Sequence, residues 1–350
     1  MATRIGIPRA LAYYSFYPQW RTYLEELGME VILSPPTTKD ILDMGIRDTV
    51  TDACIPIKVF HGHVAALIGE VDWILIPRLV SIDGDATFCP KFLGLPDMIE
   101  ASVQGAIPPL LTPRIDIRDG RFAPLRAWLQ VAKILSVPRY RALVAYQKAT
   151  QVGAYYESLL THGILPEDAM AMVNKWWSSL QDNSLLALAK AKNSLLRTAN
   201  SIESSTQRVR LAVVGYPYAI YDDYISCNLL ASLRRLGVTV ITPDMVPSKS
   251  RKAQAKRQPK YLFWHYSNQV IRATYHFFQE QMVDGVIHVT AFACGPDAMV
   301  GKLLELDCRK NNRMPFLSLC LDEHTGVAGV MTRIEAFVDM LVRRKEAQTS

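Results

Sequence analysis

The sequence predicts an α/β protein made of two duplicated, Rossmann-like parallel-sheet domains with a helical insert between them, and three observations carry that prediction. Short apolar strands alternate with helical patterns in both halves of the chain. Gly28 follows Gly6 by 22 residues, and Gly237 follows Gly215 by the same 22. Between the halves, residues 137–207 are strand-poor, with apolar residues three or four apart.

In order, RIGIP (Arg4 to Pro8) reads as a strand, Tyr13 to Leu27 as a helix stopped at Gly28, and MEVILS (Met29 to Ser34) as a second strand, the start of a βαβ unit. A helix from Pro56 to about Ile68 then leads to the strand DWILIP (Asp72 to Pro77). The layout returns with LAVVGYP (Leu211 to Pro217) and VTVITP (Val238 to Pro243); Pro8 matches Pro217, and Leu24 and Leu27 match Leu233 and Leu236, as an internal duplication requires. VDGVIHVTAFACGPDAM (Val283 to Met299) is a buried strand that breaks at Cys294, and FLSLCLD is the last strand. AYYESLL, AMAMVNKWWSSL and LLALAKAKNSLL mark the insert, with Trp176 and Trp177 as packing residues. The expected division is 1–136, 137–207 and 208–350.

With 350 residues, 49% of them hydrophobic, the chain fills two cores. MATRIGIPRA has no signal-like apolar region and no run is long enough to span a membrane, so the reading expects a soluble, cytoplasmic protein. Much of the net charge of +6 sits in SKSRKAQAKRQPK (Ser248 to Lys260), read as a solvated loop, or else as a dock for an acidic protein; no aromatic residues interleave with it, which argues against nucleic acid. Neither GIPRA nor GYPYA is a dinucleotide fingerprint. Arg9, at the first of these turns, is placed to meet an anion.

The six cysteines are too dispersed for a disulfide framework. Cys54, Cys89 and Cys294 each have a proline one or two residues on, which sets them at helix N-termini, where free N–H groups and the helix dipole lower a thiol's pKa. Three such thiolates make a metal nest; three helix starts with packed thiols are the alternative. No C-x-x-C pair suits structural zinc, whereas an iron-sulfur cluster accepts widely spaced thiolates. Cys227 inside a helix, Cys308 in LLELDCRKN and Cys320 in a strand read as packing residues.

IGIPRALAYYSFYPQW, LGMEVILSPPTT, DACIPIKVFHGHV, CPKFLGLPD, AFACGPDAM and LDEHTGVAGVMTRIEAFVDML follow one another here, and in that order they resemble the acyl-CoA dehydratase activase-related (CoA protein activase) family, itself similar to the iron-sulfur subunits of 2-hydroxyacyl-CoA dehydratases. The resemblance implies a 4Fe-4S cluster on Cys54, Cys89 and Cys294 with one iron unliganded by protein, an anaerobic electron-transfer role as oxidoreductase or lyase component, a separate ATPase activase as electron donor, and a homo- or hetero-dimer acting on a small-molecule or acyl-CoA substrate. The chain has no G-x-x-x-x-G-K-[ST] loop of its own, so it resembles the electron acceptor. An 8Fe-9S double cubane on six cysteines, or a cluster carrier or small-ligand binding protein without turnover, stands as the alternative.

Other polar residues cluster near these motifs. Lys58 is four residues after Cys54 and His61 seven, on one helix face, so either can bond a cluster sulfide; a buried, satisfied histidine is the competing reading of His61. Gly295 follows Cys294 and joins Lys58 and Arg9 as cofactor-contacting. Asp322, Glu323, His324 and Arg333, beyond the last strand, are candidates for binding a phosphate or carboxylate or for moving protons. Thr332 and Glu335 read as a capping box.

Overall fold

The computed structural model describes residues 2–103, 105–181, 209–310 and 314–349; the third helical pattern of the insert, 185–196, lies outside them. The first half runs β1 (Arg4–Ile7), α1 (Tyr13–Glu26), β2 (Glu30–Leu33), α2 (Lys39–Arg47), α3 (Ile55–Ala65), β3 (Trp73–Leu75), β4 (Arg78–Ser81), α4 (Pro90–Leu93), α5 (Leu95–Ser102), β5 (Leu110–Leu111), β6 (Arg114–Asp116) and α6 (Ala123–Ile134). The insert supplies α7 (Arg139–Thr161) and α8 (Pro166–Gln181). The second half runs β7 (Val209–Gly215), α9 (Pro217–Ile220), α10 (Leu229–Arg235), β8 (Val238–Ile241), α11 (Ser248–Ala253), α12 (His265–Gln279), β9 (Gly285–Ala291), α13 (Gly295–Lys310), β10 (Phe316–Leu321) and α14 (Val327–Thr349).

Two four-stranded parallel sheets result, ordered β2-β1-β3-β5 and β10-β9-β7-β8. β7 takes the place of β1, β8 of β2, β9 of β3 and β10 of β5, so the duplication seen in the glycine spacing extends to topology. The matched glycines show why: Gly28 and Gly237 both have φ in the left-handed region, at 88° and 70°, where each follows a helix and returns the chain to a strand. At Gly215 a Cβ would lie 2.3 Å from the Val289 carbonyl oxygen. A short parallel pair, β4 with β6, adds a feature the sequence reading did not contain.

The insert packs on the first half. Tyr156 donates to the Tyr14 carbonyl at 2.6 Å, Lys148 pairs with Glu26 at 2.7 Å, and Arg21 donates to Asn174 on α8 at 2.9 Å. The Trp176 ring lies tilted, 4.4 Å from that of Tyr155, and Trp177 lies 6.1 Å from Trp176, both partly buried against the core. The halves meet through a parallel bridge in which Thr87 donates to Phe263 and His265 donates to Thr87, at 2.9 and 2.7 Å.

Three local readings are corrected. Cys227 is not helical: Asp222 accepts the Ile225 amide at 2.9 Å and starts a turn, and Cys227 and Asn228 take left-handed φ of 54° and 56° before α10 begins. Thr332 is not a cap, because the turn closed by the Thr325–Asp322 side-chain bond at 2.7 Å lets α14 start at Val327; the Thr332 hydroxyl donates back to Ala328. The basic segment is helical, with Gln254 buried and bonded to Gln279 at 2.8 Å.

α2 and α3 cross at glycines. A Cβ on Gly45 would stand 1.7 Å from the Lys58 carbonyl oxygen, and one on Gly62 1.8 Å from that of Ile41. Backbone cannot rotate away, so Gly62→Ala is expected to lower unfolding free energy by about 3 kcal/mol. Gly329→Ala, on α14 with open space around it, is expected to raise stability by about 0.5–1 kcal/mol in the same denaturant titration.

Candidate functional site

Cys54 and Cys89 are the N-cap residues of α3 and α4, each with extended backbone and a proline in the first turn. Cys294 precedes α13, and its carbonyl accepts the Ala298 amide at 3.0 Å. The first-turn N–H three positions on lies near each sulfur and favours its thiolate, Ile57 for Cys54, Phe92 for Cys89 and Asp297 for Cys294, although neither Cys54 nor Cys89 makes a side-chain cap bond. Proline spacing thus places three thiols from both halves in one local geometry. All three are free and partly exposed.

These amides favour thiolate, but burial prevails and pushes all three thiols up, overturning the lowered pKa expected from helix starts alone. Cys54 is raised by burial despite Lys91 and Lys58. Cys89 is raised by burial and then by charge on Cys54; Cys294 by burial, then by Asp297 and by charge on Cys54 and Cys89. Charge on Cys54 reaches Cys89 and Cys294, so the three thiols lie around one region within electrostatic range of one another. Tyr218 borders it: burial and then charge on Cys294 and Cys89, and also on Cys54, raise its hydroxyl well above the usual range. Its ring lies 6.0 Å from Phe92 and 5.8 Å from Tyr266, an aromatic wall joining the two halves.

Among the described residues, no three or more His, Cys, Asp or Glu side chains converge on a single metal ion. A cubane makes a different demand, because each thiolate binds its own iron and the sulfurs stand farther apart than the ligands of one ion. Three free thiols, soft ligands once iron displaces their protons, with first-turn amides near them, fit such a group by their chemistry.

Lys58 is buried and pairs across the halves with Glu323 at 2.5 Å. His61 is buried, its Nδ1 donating to the Ile57 carbonyl at 2.8 Å, and burial lowers its pKa. Arg9 pairs with Glu167 of α8 at 2.7 Å, which gives its charge a partner in the insert. Gly295 and His324 are exposed, the latter donating its amide to Asp322 at 3.0 Å. Arg333 donates to the Ser318 carbonyl on β10 at 2.5 Å. The structure therefore brings Lys58 and Glu323 together beside Cys54, and sets Arg9 and Arg333 on other partners.

The second histidine of HGH organises a buried relay. The Arg9 amide donates to Ser34 Oγ at 2.8 Å, Ser34 to His63 Nδ1 at 2.9 Å, His63 Nε2–H to Thr37 Oγ1 at 3.0 Å, and Thr37 to Asp222 at 2.5 Å. Because Thr37 gives its proton to Asp222, it must accept from His63, which fixes a neutral Nε2–H tautomer. Burial, with a smaller push from Arg9, lowers His63 from 6.5 to about 3. The unfolded chain therefore takes up a proton that the folded chain refuses as pH falls below 6.5, so acid costs stability across that window. His63→Gln is expected to remove about 1.4 kcal/mol per pH unit of that loss between pH 6 and 5, measured by denaturant unfolding. His61 contributes with the same sign; Asp222, raised by burial, contributes with the opposite one.

Comparison with protein families gives two matches. A family model described as the CoA enzyme activase uncharacterised domain matches residues 4–246, and one described as 2-hydroxyglutaryl-CoA dehydratase, D-component, matches residues 161–341. Each spans more than half of the chain. The chain belongs to these CoA enzyme activase and dehydratase D-component families. No curated protein matches it. The activase-domain match carries Cys54 and Cys89, and the D-component match carries Cys294.

The dehydratase-component motifs did not signal the aromatic wall. The tyrosines of GYPYA, Tyr216 and Tyr218, were the available clue, since both are buried against Tyr266. Also unforeseen is a buried pair behind Cys294, His288 Nε2 with Asp297 at 3.2 Å. No helix among the described residues is long and apolar enough to cross a membrane.

Proposed function

We propose that this dehydratase-component chain holds a 4Fe-4S cluster on Cys54, Cys89 and Cys294 in the cleft between its halves and accepts low-potential electrons from a separate ATP-hydrolysing activase, for reduction or dehydration of a small molecule or acyl-CoA. The observation that carries this reading is that three free thiols from both halves stand at helix starts, with Cys89 and Cys294 both within electrostatic reach of Cys54. The division into 1–136, 137–207 and 208–350, a cytoplasmic location and a homo- or hetero-dimeric assembly belong to the same reading.

When bound, the cluster supplies one-electron chemistry and an iron not ligated by protein. The protein's own groups do the rest. The amides of Ile57, Phe92 and Asp297 offset thiolate charge, and Lys58 adds a cation beside Cys54. Tyr218, Phe92 and Tyr266 keep water from one side. Glu323 holds Lys58 in place, and His324 on the same turn is exposed. Cys227 in its turn, Cys308 near the end of α13 and Cys320 exposed on β10 lack the helix-start geometry, which favours one cubane over two.

The division of labour has a direct test. With the full chain prepared without oxygen, the electron paramagnetic resonance signal of a reduced cluster should appear only when both a partner ATPase and ATP are added. Sustained ATP hydrolysis by the chain alone, or ATP-independent reduction by a mild donor, contradicts it.

A further inference from the structure

We propose that the cavity bounded by α1, α7, α11 and α12 binds a small organic anion, a carboxylate or a phosphate ester, with Arg272 as its charged anchor. The cavity has a volume of about 480 Å³, in the range of small-molecule pockets. It stands apart from the proposed cluster function and uses none of the cysteines.

Arg272 is the decisive residue. It lies on α12 and is only 7% exposed, yet its polar and ring partners are neutral: its Nε donates to Gln258 at 2.9 Å and its guanidinium lies 5.7 Å over the Tyr261 ring. Among the described residues no carboxylate pairs with it. A buried cation without a counter-charge is costly, and the other buried Lys or Arg side chain among the described residues avoids the cost: Lys58 has Glu323. Arg272 has no such partner among the described residues, and it lines a cavity.

The cavity's acids do not offset it. Asp83 is committed to His265 at 2.8 Å and to the amides of Asp85 and Ala86. Asp244 accepts from Tyr221 at 2.8 Å, and burial pushes its carboxyl pKa up. Glu157 and Lys252 are exposed, one of each sign, at the rim. Asp83 and Asp244 thus have partners other than Arg272, whose own partners are neutral. Buried Tyr14 and Tyr266 line the same space and offer ring surface to the body of a ligand. An anionic head on Arg272 with a compact body against these rings satisfies both. Tyr266 also packs edge-on against Tyr218, so one aromatic ring separates this site from the thiols' surroundings.

The test is isothermal titration of the full chain, purified without added iron, with succinate in one arm and glycerol 3-phosphate in the other, at constant ionic strength. One-to-one binding of at least one anion is expected, and Arg272→Gln should weaken it by about tenfold or more, the loss expected for a charged hydrogen bond. A response to succinate alone assigns carboxylates; a response to glycerol 3-phosphate alone assigns phosphate esters. Arg272→Gln should also unfold at equal or higher denaturant concentration than wild type, because the uncompensated charge is gone. If that variant fails to fold, Thr150→Trp, filling the cavity from α7, should abolish binding instead. No binding beyond that seen with sodium chloride, or binding unchanged in Arg272→Gln, overturns the proposal, and neither outcome depends on whether the chain holds iron.

Discussion

Cys54→Ser, Cys89→Ser and Cys294→Ser are each expected to reduce bound iron from about four per chain to a small residue, while Cys227→Ser, Cys308→Ser and Cys320→Ser keep about four. An incomplete thiolate set leaves a second iron without a protein ligand. Serine is a favoured N-cap, and neither Cys54 nor Cys89 makes a side-chain cap bond, so these helices should start at least as well with the hydroxyl. Loss of iron with unchanged circular dichroism therefore reports ligation and not fraying. Loss of iron from all six variants, with about eight in the wild type, would replace the single cubane with a double one.

The second large effect is expected at the contact between the halves. Glu323→Gln leaves the Lys58 ammonium buried without its partner and should cost about 3 kcal/mol of stability. Lys58→Met should cost less, since Glu323 retains access to water and can be solvated alone. The double variant should recover most of the loss, because a buried pair replaced by groups of similar volume is often nearly neutral. Burial works to raise Glu323, but the bond to Lys58 outweighs it and lowers its pKa, so the pair's contribution is present above the ordinary glutamate range and disappears in acid. Denaturant unfolding of the four proteins forms the cycle; equal losses for both single variants with no recovery would show that the pair does not close the cleft.

What could be read in advance was what local chemistry specifies. Gly28 and Gly237 need positive φ, and prolines beside Cys54, Cys89 and Cys294 belong in a helix's first turn, so the duplicated sheets and the three N-cap thiols follow from residue type and spacing. The split between α9 and α10 turns on Asp222 capturing one amide, and the start of α14 on Thr325 and Asp322; both compete locally with a helical pattern that looked continuous. Only Ile76 and Pro77 separate β4 from β3, so the sequence shows one apolar run there, and β6 is only three residues long. The direction of the thiol pKa values was missed for a different reason. Helix-start amides are local, whereas burial is set by partners such as Tyr218, more than a hundred residues from Cys54 and Cys89. Phe92 against Tyr218, Lys58 with Glu323, and the cavity around Arg272 are likewise contacts between distant segments, which no local pattern encodes.

The measurement that bears most directly on the central claim is the iron and acid-labile sulfide content of the full wild-type chain, prepared or reconstituted without oxygen. About four iron and four sulfide per chain, in a brown protein, is the result the three-thiol site predicts. A colourless chain that holds neither after reconstitution would contradict it, leaving Cys54, Cys89 and Cys294 as helix-start packing residues.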